Sequence, residues 1–370
     1  MRRMDKEKQI TPRQITSILA STIVGAGILT LPREVAAAAG SDGHLATLLG
    51  GILATLLLLL LTRLGLRFPQ QTLMEYSDLI LGRFLGKILS ISFIIYWLLL
   101  AAIVVRIFGE MVITAVLTRT PLEVIIGIML LLGAQLAAQE LRVFARVHEI
   151  LLILTFPLLL LLFLISARNV NLLHLLPVLA FGLLPVLRGA LATSLSYLGI
   201  EIITMLMPYY TQQEQALKYH LYGAAVPLIL YVSIVSIGLG TFGPAALQYL
   251  QWPTLEQIRI ATIPGVLERL ESVFIGVWVV VVFTTVGSLL LMVNLSLSHL
   301  LGWQKRNRLW HYLLILPMFF LARYPRNIVA VELYAGIISR AGLILITAAG
   351  GLLYLVALLR RLKGAGKENG

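Results

Sequence analysis

The sequence predicts an all-α polytopic membrane protein with ten transmembrane helices. Three observations predict it. Of 370 residues, 59% are hydrophobic and only 12% are charged, whereas the surface of a soluble globule needs roughly a quarter charged residues. The apolar residues form long runs without the strict alternation of barrel strands, so helices are the spanning elements. Lys and Arg concentrate in every second connection between runs, as they do in loops on one side of a membrane.

A span needs about 20 apolar residues, and the runs place spans at 12–39, 45–64, 84–117, 122–138 and 147–166. Five more follow at 179–207, 217–239, 266–295, 309–321 and 337–359. The first is interrupted at its glycines, the sixth near Tyr197. The ninth is short and bounded by Pro317 and Pro325. Segment 69–82 has helical apolar spacing and reads as an amphipathic helix at the interface. Segment 242–264 reads as an outer loop with a short helix capped at Thr254 and followed by Glu256. Arg and Lys at 2–13, 63–87, 142–146, 218, 305–308 and 360–367 mark the cytoplasmic side. Both termini then lie there, which requires an even number of spans. The charged start reads as the flank of a retained first span rather than a signal peptide. No soluble domain interrupts 1–370, which reads as one transmembrane domain.

The formal charge of +12 sits between apolar runs and at the termini, which points to topology and membrane-lipid contact and not to nucleic acid. The chain has no Cys, which removes disulfides, thiolate metal sites and cysteine nucleophiles. The six His residues show no metal spacing, and no phosphate loop or nucleophile–base pair is recognisable. The expectation is no enzyme activity and no cofactor.

The first span carries Val24, Gly25, Ala26, Gly27 and Ile28, then Pro32, where a spanning helix should be most regular. Gly costs about 1 kcal/mol against Ala inside a helix, and Pro32 is a second breaker. A break at membrane depth is tolerated where freed backbone faces protein, ligand or water. The sixth span has a matching defect: Ser196, Tyr197, Leu198, Gly199 and then Glu201. If 11–166 and 179–361 are five-helix repeats, the defects fall in corresponding spans of two halves with opposite topology. Such paired breaks mark the midplane binding site of inverted-repeat transporters. A half-helix starting near Ala26 offers free N–H groups to a carboxylate. Carbonyls freed before each break suit an ammonium, so the pair suits an α-amino acid.

The segment Gly25-Ala26-Gly27-Ile28-Leu29 resembles the first-helix motif of the amino acid–polyamine–organocation superfamily, whose fold is of the LeuT type. More narrowly, the chain resembles the endospore germination permeases, the B subunits of germinant receptors. The resemblance covers nearly the whole chain. It is carried by Ile10-Thr11-Pro12-Arg13-Gln14, the glycine break, Ser196 to Glu201, Trp252-Pro253-Thr254, and Arg269 to Phe274 before Trp278. It implies a spore inner-membrane protein that senses a small amino acid beside an A and a C subunit.

Further residues stand out in the sequence, several with more than one reading. Gly25, Ala26 and Gly27 bind a carboxylate or simply let helices approach. Glu201 carries a proton, contacts a ligand amine, or caps the second half-helix. Arg106 and Glu110, four apart, form a structural pair. Arg188 steers an anion or snorkels. Tyr96 lines the cavity or packs. Phe283, Thr284 and Ser288 lie on the eighth span, which in LeuT-type folds can hold Na⁺ against the first break. Their hydroxyls also bond back to their own helix. Glu268 and Glu271 read as outer-surface structural residues. Proton-driven relatives often carry a Lys in the fifth span; here the nearest basic residues are Arg146 and His148 at its cytoplasmic start.

The sequence therefore predicts a germinant-sensing subunit for a small apolar amino acid, such as alanine. The alternatives are a stand-alone amino-acid permease, or an ion- or water-conducting structural subunit of the receptor.

Overall fold

A computed structural model describes residues 10–25, 27–261, 269–302 and 308–364. Ala26 and Glu268, singled out in the sequence, lie outside these residues. The described residues form α-helices joined by turns and short 3₁₀ segments, with one isolated bridge between Ile10 and Tyr210. In chain order these are α1 (Pro12–Ile23), α2 (Gly27–Ala39), α3 (Gly43–Arg67), α4 (Leu73–Leu81) and α5 (Arg83–Ala115). Next come α6 (Leu122–Ala137), α7 (Leu141–Ser166), α8 (Leu183–Ala192), α9 (Ser194–Tyr197) and α10 (Ile202–Leu206). The chain continues through α11 (Ala216–Leu247), α12 (Pro253–Arg259), α13 (Leu270–Leu300), α14 (Arg308–Leu313), α15 (Ile315–Arg323) and α16 (Ile328–Leu359).

Six helical stretches are long and apolar enough to cross a membrane, or seven with the bent pair formed by α8 and the α9–α10 segment, whose axes differ by 50°. This is an integral membrane protein. Leu and Ile side chains stand exposed along α3, α7 and α16, which suits contact with lipid rather than water. The centre is built by α1, α5, α11 and α13, with α13 packed against α5, α6, α1 and α7.

Helix ends follow local chemistry. Thr11 caps α1 in a reciprocal pair with Gln14, and Pro12 occupies the first turn, where its missing N–H is harmless. Thr72 and Glu75 cap α4 in the same way. The predicted amphipathic segment is thus a helix, with Leu73, Met74, Tyr76 and Ile80 buried and Glu75 outward. One end of the bundle carries both described termini: Ile10 pairs with Tyr210, Arg67 Nε donates to the Leu362 carbonyl, and Arg360 donates to Ile80. The opposite end is tied by Asp42, which accepts from the Leu179 N–H, and by Arg33 with Glu332. Arg106 and Glu110 do form a buried pair at 2.7 Å, and Arg106 also donates to the Ala322 carbonyl, clamping α5 to α15.

Several predicted boundaries move. The last long helix starts at Ile328 rather than 337, with Asn327 as a side-chain cap. α11 runs on to Leu247 through a kink at Gly243, whose φ of 72° favours glycine. The short ninth segment is divided between α14 and α15 at Leu314. The helix predicted to be capped by Thr254 has Trp252 at its cap and Pro253 in its first turn. Thr254 is instead fully buried and donates to the Ile28 carbonyl of α2 at 2.6 Å.

That bond explains a second correction. Pro32 does not break the helix; α2 is continuous from Gly27 to Ala39. Proline lacks the N–H that would bond four residues back, which orphans the Ile28 carbonyl. The Thr254 hydroxyl takes that carbonyl's free lone pair.

Candidate functional site

Two helices are interrupted at the centre of the bundle. α1 ends at Ile23, and α2 begins at Gly27. Between them Val24 leaves helical geometry at ψ 76°, and the Gly25 N–H turns back to the Ile23 carbonyl at 2.8 Å. The second interruption is double. A first bend falls at Thr193, between α8 and α9. Then Leu198 is extended and Gly199 has φ 104° before α10 begins. Only Gly adopts that φ without strain, so Gly199 is where the chain leaves the helix.

The interruptions touch. A methyl group built on Gly27 would lie 2.4 Å from Ser196 Oγ and 2.7 Å from Ser196 Cα, so the backbones are in direct contact. One built on Gly199 would lie 3.0 Å from Thr22 Cγ2 and 3.2 Å from the Thr22 carbonyl. The glycines supply space at the crossing as well as backbone freedom. Ser196 is buried there, and its hydroxyl has no hydrogen-bond partner.

The last turn of α1 exposes carbonyls that have no intrahelical partner. The protein's own side chains occupy them. Tyr231 of α11 donates to the Ile23 carbonyl at 2.9 Å. From α13, Thr285 donates to Ser21 at 3.1 Å and Trp278 donates to Gly25 at 3.3 Å. Thr284 divides its hydroxyl between Val281 of its own helix at 2.8 Å and Ser21 at 3.4 Å. The carbonyls assigned from sequence to a ligand's ammonium are therefore held by hydroxyls and an indole in this conformation.

Glu201 is 1% exposed and does not accept from the α10 N–H groups. Its carboxylate accepts from the Gly199 N–H at 2.9 Å and from Trp97 Nε1 of α5 at 3.0 Å. It fastens the break to α5. Tyr96 is buried on the same helix; its ring edge presses on Gly342 of α16, and its hydroxyl lies beside Glu201. Tyr197 donates to the Thr47 carbonyl at 3.3 Å and meets Tyr231 edge to face. Val24, Ile28 and Leu198 are buried apolar walls. Phe283 is half-buried; the α13 side chains that reach α1 are Trp278, Thr284, Thr285 and Ser288. Arg188 is exposed on α8, and Glu271 is half-buried in the first turn of α13.

A cavity of about 10 Å³ lies beside the α1 break, lined by Ser21, Val24, Thr155, Leu230, Val281 and Thr284. It holds a single water at most. The conformation is closed around the breaks.

Sequence reasoning missed Thr22, Trp97, His148, Tyr231, Trp278 and Thr285 as members of this centre. The signal available was spacing on α13: Val281, Thr285 and Ser288 recur at helical intervals and share one face. Nothing local marks Tyr231 or Trp97.

The chain matches the family model described as spore germination protein over residues 9–329. It is 31% identical to spore germination protein YndE of Bacillus subtilis (strain 168), covering 95% of this chain and 97% of the relative. It belongs to the spore germination permease family. Spore germination protein B2 of the same organism is 26% identical over 92% of this chain and 93% of its own. Among solved structures, the chain superposes on MhsT in complex with L-phenylalanine with a TM-score of 0.65 at 13% identity, covering 95% of this chain and 98% of that one. A Na⁺-coupled sialic acid symporter gives 0.61 at 12% identity, covering 95% and 79%. These likenesses place the chain in the LeuT fold. The family and its structural neighbours are germination proteins and transporters rather than enzymes.

Proposed function

We propose that this chain is the membrane subunit of a spore germinant receptor. It binds a small amino acid between the two helix breaks and signals through A and C subunits in the spore inner membrane. The observation that carries the reading is the pairing of the breaks, with Gly27 against Ser196 and Gly199 against Thr22. Our reading counts α1–α2, α8–α10 and α14–α15 each as one span and α4 and α12 as connections, which makes ten spans that we assign to two inverted groups of five. Both termini then face the cytoplasm. The N-terminal end of α2 suits a carboxylate, and Ser196 supplies an unspent hydroxyl beside it. Val24, Ile28 and Leu198 favour a small apolar side chain such as that of alanine.

A closed centre signals only if the ligand binds one of two conformations better. Binding here requires α1–α2 to separate from α13, exchanging the Thr285 and Trp278 bonds for bonds to ligand. The test is a panel of amino acids on the purified chain, with thermal stabilisation and liposome uptake read in parallel. Stabilisation by a small amino acid without uptake is the expected result; at about 100-fold excess over Kd it amounts to roughly 2.7 kcal/mol. No stabilisation by any of them would overturn the reading. The fold likeness to transporters supports a second reading, a stand-alone permease, which concentrative uptake by the chain alone would establish. Co-purification with A and C subunits argues against the second.

Opening toward the end opposite the termini must separate Arg33 of α2 from Glu332 of α16, paired at 2.8 Å. Glu332 is 44% exposed, so the pair contributes about 1 kcal/mol or less. Arg33→Gln is expected to speed thiol labelling of a cysteine introduced at Thr30 by about two- to fivefold, with little change in Tm. An unchanged labelling rate would show that the pair does not restrain α2.

A further inference from the structure

The end of the bundle that carries both described termini holds positive charge that its own acidic groups do not balance. Three segments meet there: the end of α3, the corner between α4 and α5, and the chain that follows α16. Two of their basic side chains are engaged by backbone. Arg67 donates to the Leu362 and Ala357 carbonyls, and Arg360 donates to the Ile80 carbonyl at 2.7 Å. The other five, Arg63, Arg83, Lys87, Arg361 and Lys363, are exposed and make no ion pair or hydrogen bond among the described residues. The acidic groups of residues 60–100 and 354–364 are Glu75 and Asp78. Glu75 accepts from the Thr72 cap, and Asp78 is paired with His299.

The charges converge from distant parts of the sequence. The Gly364 N–H returns to the Arg67 carbonyl at 3.0 Å, which lays residues 360–364 across the end of α3. Ile80, held by Arg360, is in the last turn of α4. The chain turns at Gly82, with φ 85°, and Arg83 is the first residue of α5. Arg83 therefore shares one corner with Arg361 and Lys363.

Two of these cations are placed against the interest of their own helix. The end of α16 is a Schellman motif: the Leu362 N–H donates to Ala357 at 2.9 Å and the Arg361 N–H to Leu358 at 3.1 Å. The residue after the cap is then left-handed, and glycine is favoured there. Here it is Arg361, at φ 52°. Arg83 stands at the positive end of the α5 dipole, where a cation is disfavoured. A topological signal needs Lys or Arg near this surface, but not at these two positions. Beside them the surface is apolar. Phe84 is 78% exposed and Leu359 is 74% exposed, and α16 packs against both α5 and α4. A molecule with an anionic head and apolar tails matches both halves of this face.

We propose that this corner is a binding site for an acidic glycerophospholipid. Its phosphodiester lies among Arg83, Arg361 and Lys363, as charge-assisted acceptor for their N–H groups. Its acyl chains lie along Phe84 and Leu359, continuing the lipid-facing surface of α16. The bound lipid joins the end of α16 to the α4–α5 corner that Arg360 already touches. α4 holds α13 through Asp78 and His299 at 3.0 Å, so the lipid braces the same end of the helix that reaches the α1 break. The site stands independently of the amino-acid reading.

The test uses the full chain purified in an uncharged detergent, with Tm read against added phosphatidylglycerol, phosphatidylcholine or glycerol 3-phosphate. Stabilisation by phosphatidylglycerol alone is expected, and it should shrink as salt is raised, because exposed charges are screened. The triple variant Arg83→Gln, Arg361→Gln and Lys363→Gln is expected to need roughly 10- to 100-fold more phosphatidylglycerol for the same shift. Arg119→Gln, Arg168→Gln and Arg326→Gln together remove three exposed charges from the opposite end and should respond as the parent does. Arg361→Gly guards against a folding defect. It relieves the left-handed arginine, so the lipid-free Tm is expected to rise by about 1–3 °C, while the lipid response weakens about fivefold. A triple variant, or a stabilised Arg361→Gly chain, with the parent's lipid response overturns the proposal. Equal stabilisation by glycerol 3-phosphate overturns it in favour of a simple anion site. Loss of co-purifying protein subunits from the triple variant, with its lipid response unchanged, overturns it in favour of a protein-docking face.

Discussion

Gly27→Leu is expected to abolish amino-acid stabilisation of the purified chain and germination by spores that carry it. Any Cβ at this position meets Ser196 Oγ at 2.4 Å and Ser196 Cα at 2.7 Å. The second of these is backbone and has no rotamer by which to move aside. The two interruptions must then part, which removes the crossing that forms the proposed site. Forcing bulk into a packed interior costs typically 1–3 kcal/mol and occasionally more; a backbone-to-backbone contact belongs at the upper end. Gly27→Ala is expected to show a smaller loss of the same kind, since it meets the same Cα. Gly276→Ala is the control, because nothing lies within 4 Å of its added methyl. The measurements are Tm with and without amino acid, and the germination response of spores. A Gly27→Leu chain that responds as the parent does would show that the breaks need not touch.

Replacing Glu201 is expected to have the second-largest effect. Its two oxygens accept from the Gly199 N–H and from Trp97 Nε1, both buried. Glu201→Gln leaves one oxygen and sets an NH₂ group against the other donor. One buried donor is then unpaired, at about 1–3 kcal/mol. Glu201→Ala unpairs both and is expected to lose the ligand response altogether. Trp97→Phe removes one donor and leaves the carboxylate on Gly199, so its effect is expected to be milder. A double-mutant cycle between Glu201→Gln and Trp97→Phe should show a coupling of at least about 0.5 kcal/mol in thermal or denaturant unfolding. Additive losses would mean that the indole bond does not hold the break to α5.

How legible these features were differs residue by residue. The glycine break and Gly199 stood out because a helix interior penalises Gly, and nothing but geometry or contact excuses it. Glu201 stood out because carboxylates are rare inside membranes. What each does was hidden. The glycines yield space to a neighbour more than they offer N–H groups, and that depends on Ser196 and Thr22, far away in sequence. The Glu201 carboxylate is turned to Trp97, over a hundred residues distant, and not to its own helix. Pro32 read as a breaker by local rules, yet the helix continues, and Thr254 of the distant α12 satisfies the orphaned carbonyl. His148 read as a basic residue near a helix start and is a buried joint between three helices.

The sequence by itself determined that this chain crosses membranes as helices, where most of them run, which two are interrupted, and which family it belongs to. Those properties depend on composition, on apolar run length and on single residues that backbone sterics tolerate poorly. The tertiary structure alone decided that the two interruptions meet, that the chain's own hydroxyls and indoles occupy the freed carbonyls, and that α1 is joined through Ser288 to His148. Those depend on which side chains the packing brings within hydrogen-bond reach. A hydrogen bond forms over about 3 Å, whatever the separation along the chain, so pattern along the sequence does not encode it.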